Sequence, residues 1–161
     1  MTADAELWEF ALKVYGTEGV AAACLELQDR FGADVPVVLA VLWAARRGVA
    51  VDADAMAALE AAAGPWRAEM VVPLRALRRR LKAGPDPAPS AETEALRGEI
   101  KRAELHAEKI ELRVLAGWIA GAGAGQAEVR ANLGAALAHY AGGQDVPEEL
   151  TAPLVAAAEA A

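Results

Sequence analysis

Through the first third of the chain, apolar residues recur every three or four positions, and each run ends at or near a glycine. In DAELWEFALKVYG (4–16), Trp8, Ala11, Leu12 and Tyr15 keep helical spacing. Thr2 or Asp4 is placed to cap this helix and Gly16 to stop it. Thr17 is the expected cap of a second helix, where Val20, Cys24, Leu27 and Phe31 follow spacings of 4, 3 and 4 until Gly32. Asp34 is the expected cap of a third, over 35–47, with Pro36 in its first turn, where a missing N–H costs little. This third stretch is apolar nearly all round until Arg46 and Arg47, the mark of a central helix.

Residues 48–64 read as a loop, a cap at Asp52 or Asp54, and a short alanine-rich helix. Gly64-Pro65 is expected to break it. A new helix then runs from Pro65 to about Ala83, kinked near 69–72 by Pro73. GPDPAPS (84–90) is a linker. Ser90 caps a long helical pattern over 91–120, roughly 45 Å if straight. Leu96, Ile100, Ala103, Ala107, Ile110, Val114 and Gly117 form one apolar line on it; Leu105, Leu112 and Ile119 form a second. Two such lines imply two packing partners. AGAGAG (120–125) ends the pattern. Two alanine-rich helices follow, about 126–141 and 147–160, the second opened by Asp145 and Pro147 and interrupted by Pro153. No internal repeat is visible.

The pattern therefore predicts an all-α fold: one helical bundle of about six to eight helices around a long one. Residues 1–120 form the core domain, with the linker at 84–90, and 121–161 an accessory helical pair. Composition agrees. Hydrophobic residues make up 55% of the 161, and aromatics only 5%. The apolar content is mostly alanine, leucine and valine, and alanine and leucine are the strongest helix formers. A net charge of −7 argues against nucleic-acid binding, which needs a broad basic footprint. The lone cysteine, Cys24, forms no internal disulfide and suits a reducing compartment. MTADAELWEF has acids where a signal peptide has bases, and the longest apolar run, VPVVLAVLWAA (35–45), is too short to span a bilayer. A cytoplasmic protein with no membrane span is expected.

Charge changes the picture at one place. WRAEMVVPLRALRRRLK (66–82) holds six of the sixteen basic residues and a single acid, Glu69. On a helical wheel Met70, Leu74, Leu77 and Leu81 form a narrow apolar stripe, with Arg67, Arg75, Arg78, Arg79 and Lys82 on one flank and Arg80 on the other. Guanidinium forks suit carboxylates and phosphates. The linker lets the next helix fold back antiparallel, and counting then sets Arg67 near Glu104 or Glu108 and Arg75 near Glu99. Arg78, Arg79, Arg80 and Lys82 remain as surplus. With Arg75, they are the candidate residues for an anion or an acidic partner.

Other constellations are weaker. Glu104, Glu108 and Glu111 form a carboxylate stripe, but neither His106 nor His139 stands three residues after a glutamate, as a di-iron bundle requires. The stripe is read as solvated or arginine-paired, and no metal or cofactor is implied. Cys24 reads as core, and Asp34 as a helix cap. One serine in a linker builds no catalytic triad. Trp8, Tyr15, Trp43 and Trp66, with Gln28, Arg67 or Arg75 as polar anchors, are the candidates for lining a small-molecule pocket; Asp29, opposite the Cys24 stripe, is grouped with them as an exposed residue or a partner for arginine.

The ordered set of WEFALKVYGTEGV (8–20), CLELQDRFGADV (24–35) with Trp43 eight residues on, WRAEMVVPLRALRRRLK, and KRAELHAEKIEL (101–112) resembles an uncharacterised bacterial family of short cytosolic helical proteins. The resemblance covers about residues 6–115. It implies a domain of unknown function and carries no mechanism. Two functional expectations follow from the residues. One is a non-enzymatic interaction or regulatory protein that docks a partner, or a second copy of itself, through the helix 91–120. The other is a small-molecule-binding protein or enzyme with an aromatic-lined pocket and arginine anchors.

Overall fold

The computed structural model describes all 161 residues and contains helices and connections only. Its elements are α1 (Ala3–Tyr15), α2 (Val20–Phe31), α3 (Val35–Arg46), α4 (Ala53–Trp66), a π-helical turn (Arg67–Val71), α5 (Val72–Leu81), α6 (Ala91–Gly121), α7 (Val129–Ala141) and α8 (Glu148–Ala160). The all-α expectation and the single long helix are both observed; α6 has 31 residues, about 46 Å.

Local chemistry sets most boundaries. Asp34 Oδ2 accepts from the Val37 N–H at 3.3 Å, and Pro36 sits in the first turn of α3. Asp52 Oδ1 accepts from Ala55 N at 2.9 Å, and Ser90 Oγ from Thr93 N at 3.1 Å. Thr17 is not the cap expected for α2. Its hydroxyl donates back to the Lys13 carbonyl at 3.0 Å, closing α1, and Gly19 in the left-handed region opens α2 instead.

Two prolines expected to break helices do not. Pro65 lies inside α4 and Pro153 inside α8. Each removes one N–H, and the carbonyls released four residues earlier belong to the exposed Ala61 and Glu149, where water can satisfy them. Pro73 does change the helix. The last donor before it, the Val72 N–H, reaches back five residues to the Arg67 carbonyl. This wider turn moves the preceding carbonyls off the proline ring, which is how a π-turn relieves the clash.

The chain divides into two compact units, residues 1–62 with 112–161, and residues 63–111. In the first unit α3 is the centre: Pro36 to Ala45 are all buried. It packs against α1, α2, α7 and α8, and α2 also packs on α8. The last two helices thus share a core with the first three. Asn132 on α7, 1% exposed, ties them together. Its Oδ1 accepts from Val51 N at 2.9 Å, and its Nδ2 donates to the Val49 and Val41 carbonyls at 2.9 and 3.0 Å. Gly48 makes the other close approach. Its φ is +74°, and its carbonyl accepts from Gly125 N at 2.7 Å.

The second unit is a helical hairpin. The end of α4, the π-turn and α5 run one way, residues 82–90 turn the chain, and α6 returns to Glu111. α5 has no buried residue. The buried side chains of this unit are the small Ala63, Val71 and Ala107, together with Glu104 and Glu111.

Candidate functional site

Three arginines and three glutamates meet along the hairpin. Arg67 Nη1 lies 3.4 Å from Glu111 Oε1. Arg75 donates from Nε to Glu104 Oε1 at 3.2 Å and from Nη2 to Glu108 Oε1 at 3.0 Å. Arg78 engages Glu104 through both Nε and Nη2. Beside this row, Trp66 Nε1 donates to the Ala107 carbonyl at 2.9 Å. Glu104 is 6% exposed and Glu111 fully buried.

The pairing of the basic helix with the carboxylate stripe is as expected, but the register is not. Arg67 meets Glu111 rather than Glu104 or Glu108, and Arg75 meets Glu104 and Glu108 rather than Glu99. Side chains on a helix lean toward its N-terminus. On two antiparallel helices the arginines therefore lean away from the turn and the glutamates toward it. Each arginine meets a glutamate about one helical turn further along α6 than the residue level with it. The same lean takes Arg78 out of the surplus: it is held by Glu104.

Burial opposes a carboxylate's charge, but the Arg78 and Arg75 guanidiniums outweigh it and hold Glu104 below the usual carboxylate range. The hydrogen bond to Glu104 in turn raises Arg78. Ions taken from water cost several kcal/mol each unless paired. The guanidiniums on α5 therefore claim the seam with α6, and apolar residues are left on the flanks. Of the first apolar line on α6, only Ala107 is buried. Leu96 is 47% exposed, and Ala103, Val114 and Gly117 are exposed too. Of the second line, Leu112 and Ile119 are buried and Leu105 is exposed. On the basic helix Met70 and Leu77 are 45% and 54% exposed. The expectation that these apolar lines are the packing faces is thus corrected for residues 70–105.

The other candidate residues are spread out. Arg79, Arg80 and Lys82 are exposed at the turn end of α5; the Glu94 carboxyl is held low by its hydrogen bonds from Arg97, with Lys82 adding a smaller pull. Trp8, Tyr15, Gln28, Asp29 and Trp43 lie in the first unit, Trp66 and Arg67 in the hairpin. Trp43 is buried beneath the Arg47 guanidinium, 4.8 Å from its ring centre, and Arg47 pairs with Glu6 at 2.6 Å. Tyr15 and Asp29 are exposed; Trp8, Gln28, Trp66 and Arg67 are half-buried. A cleft of about 310 Å³ opens elsewhere, between α7 and α8, lined by Leu133, Gly134, Leu137 and Val155. The exposed Arg130–Glu148 pair, 2.9 Å apart, stands at it. None of the pocket candidates lines this cleft. Cys24 is buried, and burial pushes its thiol up to about 12.

Fold and seam define an all-helical protein with an ion-paired hairpin and with no helix long and apolar enough to cross a membrane. The chain belongs to the family described as protein of unknown function (DUF2390), which it matches over residues 6–115. That span holds both halves of the ion-paired seam and ends before α7. No curated protein and no solved structure matches the chain.

Proposed function

We propose that the protein is a non-enzymatic docking protein and that the α5–α6 hairpin is its docking element. The observation that carries this reading is the inverted polarity of the hairpin. Its charges fill the seam, while Met70, Leu77 and Leu96 stand about half exposed. A helix pair normally turns its leucines inward. Leaving them outside gains nothing for the hairpin alone and suits a surface that another helix covers. Met70 adds an unbranched, adaptable side chain of the kind found on such surfaces. The reading places the protein in the cytoplasm, a compartment that suits its one unpaired thiol.

The test is protection of the flank inside cells. A Leu77→Cys variant is exposed to a membrane-permeant maleimide, with Lys13→Cys, exposed on α1 and off the hairpin, as the solvent-facing reference. Cys24 stays silent because its thiol is buried and neutral. The docking reading expects Cys at 77 to react several-fold more slowly than Cys at 13 in cells. Equal rates in cells reject it.

A further inference from the structure

We infer that the occupant of the apolar flank is a second copy of this chain, with two hairpins packed into a four-helix bundle and α5 of one copy lying over α6 of the other. This rests on the docking reading above and names its partner.

The first ground is geometric. The ion pairs fix which sides of α5 and α6 face each other. With 3.6 residues per turn, Leu74 and Leu81 lie about a quarter to a third of a turn from Arg75. Leu96, Ala103 and Ile110 lie about as far round from Glu104, in the same rotational sense. On antiparallel helices the same sense means the same side. One flank of the hairpin therefore carries Met70, Leu74, Leu77 and Leu81 from α5, with Leu96, Ile100 and Ile110 from α6. Each helix supplies about half of it. Such a surface matches a copy of itself under a two-fold rotation, which is what an isologous interface requires. Two helices cannot enclose a core, whereas four packed as two hairpins can.

The second ground is charge. Arg80 and Lys82 are exposed at the turn end of α5, Glu92 and Glu99 at the turn end of α6. A two-fold axis along the helices stacks α5 on the partner's α6 with the turn ends together. The two cations, one on each edge of the apolar stripe of α5, then lie at the same end as the two acids, within reach of long side chains along the rim, and the relation repeats across the axis. The alternative axis, across the helices, stacks α5 on α5 and sets the cations over the other end, where Glu69 is the one acid of that helix. Charge therefore selects the first arrangement, and in both the stacked helices run antiparallel.

The third ground is size. The exposed parts of Met70, Leu77 and Leu96, with the half-buried Leu74, Leu81, Ile100 and Ile110, amount to on the order of 400 Å² of apolar surface per copy. With a charged rim this approaches the roughly 800 Å² per partner of a standard interface.

Sedimentation equilibrium of the full chain tests the inference. The wild type is expected to dimerise in the micromolar range. Leu77→Asp and Leu96→Asp, both at half-exposed positions and so of small cost to the fold, are expected to weaken the dimer at least tenfold, since each is felt twice across the axis. Arg80→Glu and Glu99→Arg are each expected to weaken it, and the double variant to restore it. A wild type that stays monomeric throughout the micromolar range overturns the second copy. If Cys at 77 is nevertheless protected in cells, another protein covers the flank and the docking reading stands. If it is reactive there as well, both fall. A dimer that Leu77→Asp leaves untouched places the interface elsewhere and also overturns the inference.

Discussion

Replacing Glu104 with leucine removes the carboxylate that receives both hydrogen bonds of Arg78 and one from Arg75. Arg75 keeps Glu108, 3.0 Å away. Arg78 keeps no hydrogen-bonded carboxylate, and its side chain is only 23% exposed. Breaking a buried pair costs about 3–5 kcal/mol, and partial access of water to Arg78 lowers that to about 2–4 kcal/mol. Arg78→Leu is milder, because Glu104 retains Arg75; losing charge-assisted bonds to one partner costs about 1–2 kcal/mol. Leucines at both positions remove donor and acceptor together and bring two apolar side chains into the seam, so the double variant is expected to cost no more than Glu104→Leu alone. The coupling is then about 2 kcal/mol, far above the ~0.5 kcal/mol scatter of independent sites. Native-state hydrogen exchange of the α5 amides reads this locally, which suits a chain of two units. Additive single effects would refute the idea that this pair orders the hairpin.

Acid should loosen the same element. The folded Glu104 carboxyl titrates below its ordinary value of 4.5, so its stabilising contribution is complete above that value and is lost as pH falls through the lower folded one. Protection of α5 is expected to be flat near neutrality and to fall below about pH 4.5, with Glu104→Gln removing part of the fall; the same fall in the Gln variant would contradict it. Asn132→Leu loses three buried hydrogen bonds and strands the Val51 N–H, for an expected cost of about 3 kcal/mol or more in denaturant unfolding of the first unit; a loss under about 1 kcal/mol would mean that α7 is held by apolar packing alone. Gly48→Ala puts a Cβ 2.5 Å from the Gly125 carbonyl oxygen at a φ of +74°, and is expected to cost about 1–3 kcal/mol in the same measurement.

Much of the fold is legible in the spacing of apolar residues. Val20, Cys24, Leu27 and Phe31 recur on one face and are all buried. The uninterrupted run from Pro36 to Ala45 becomes the central helix for the same reason. Asp34, Asp52 and Ser90 cap helices because a short side-chain oxygen can reach an N–H three residues ahead. Pro65 and Pro153 misled, because each stands inside a continuous helix whose residue four back, Ala61 or Glu149, is exposed. Asn132 gave no signal: an asparagine in an alanine-rich helix reads as surface, and only the meeting of α7 with the Val49–Val51 segment gives it three partners. In the hairpin the residue types pointed to the right pairing. Its register needed the lean of side chains along each helix, which spacing does not encode. The exposure of Leu96 and Leu77 also lay outside any rule that sends leucines inward, because three arginines and three carboxylates had already taken the seam.

Hydroxyl-radical footprinting of the wild-type chain at low and high concentration bears on this hairpin most directly. Leu12 and Leu25, 55% and 53% exposed in the first unit, serve as internal references. If charge fills the seam and a second copy covers the flank, Met70, Leu77 and Leu96 oxidise readily in dilute protein and become protected on concentration, while Leu12 and Leu25 do not change. Flank residues protected at both concentrations would mean that they are buried within one chain, and flank residues reactive at both would mean that no second copy covers them; either result contradicts the account.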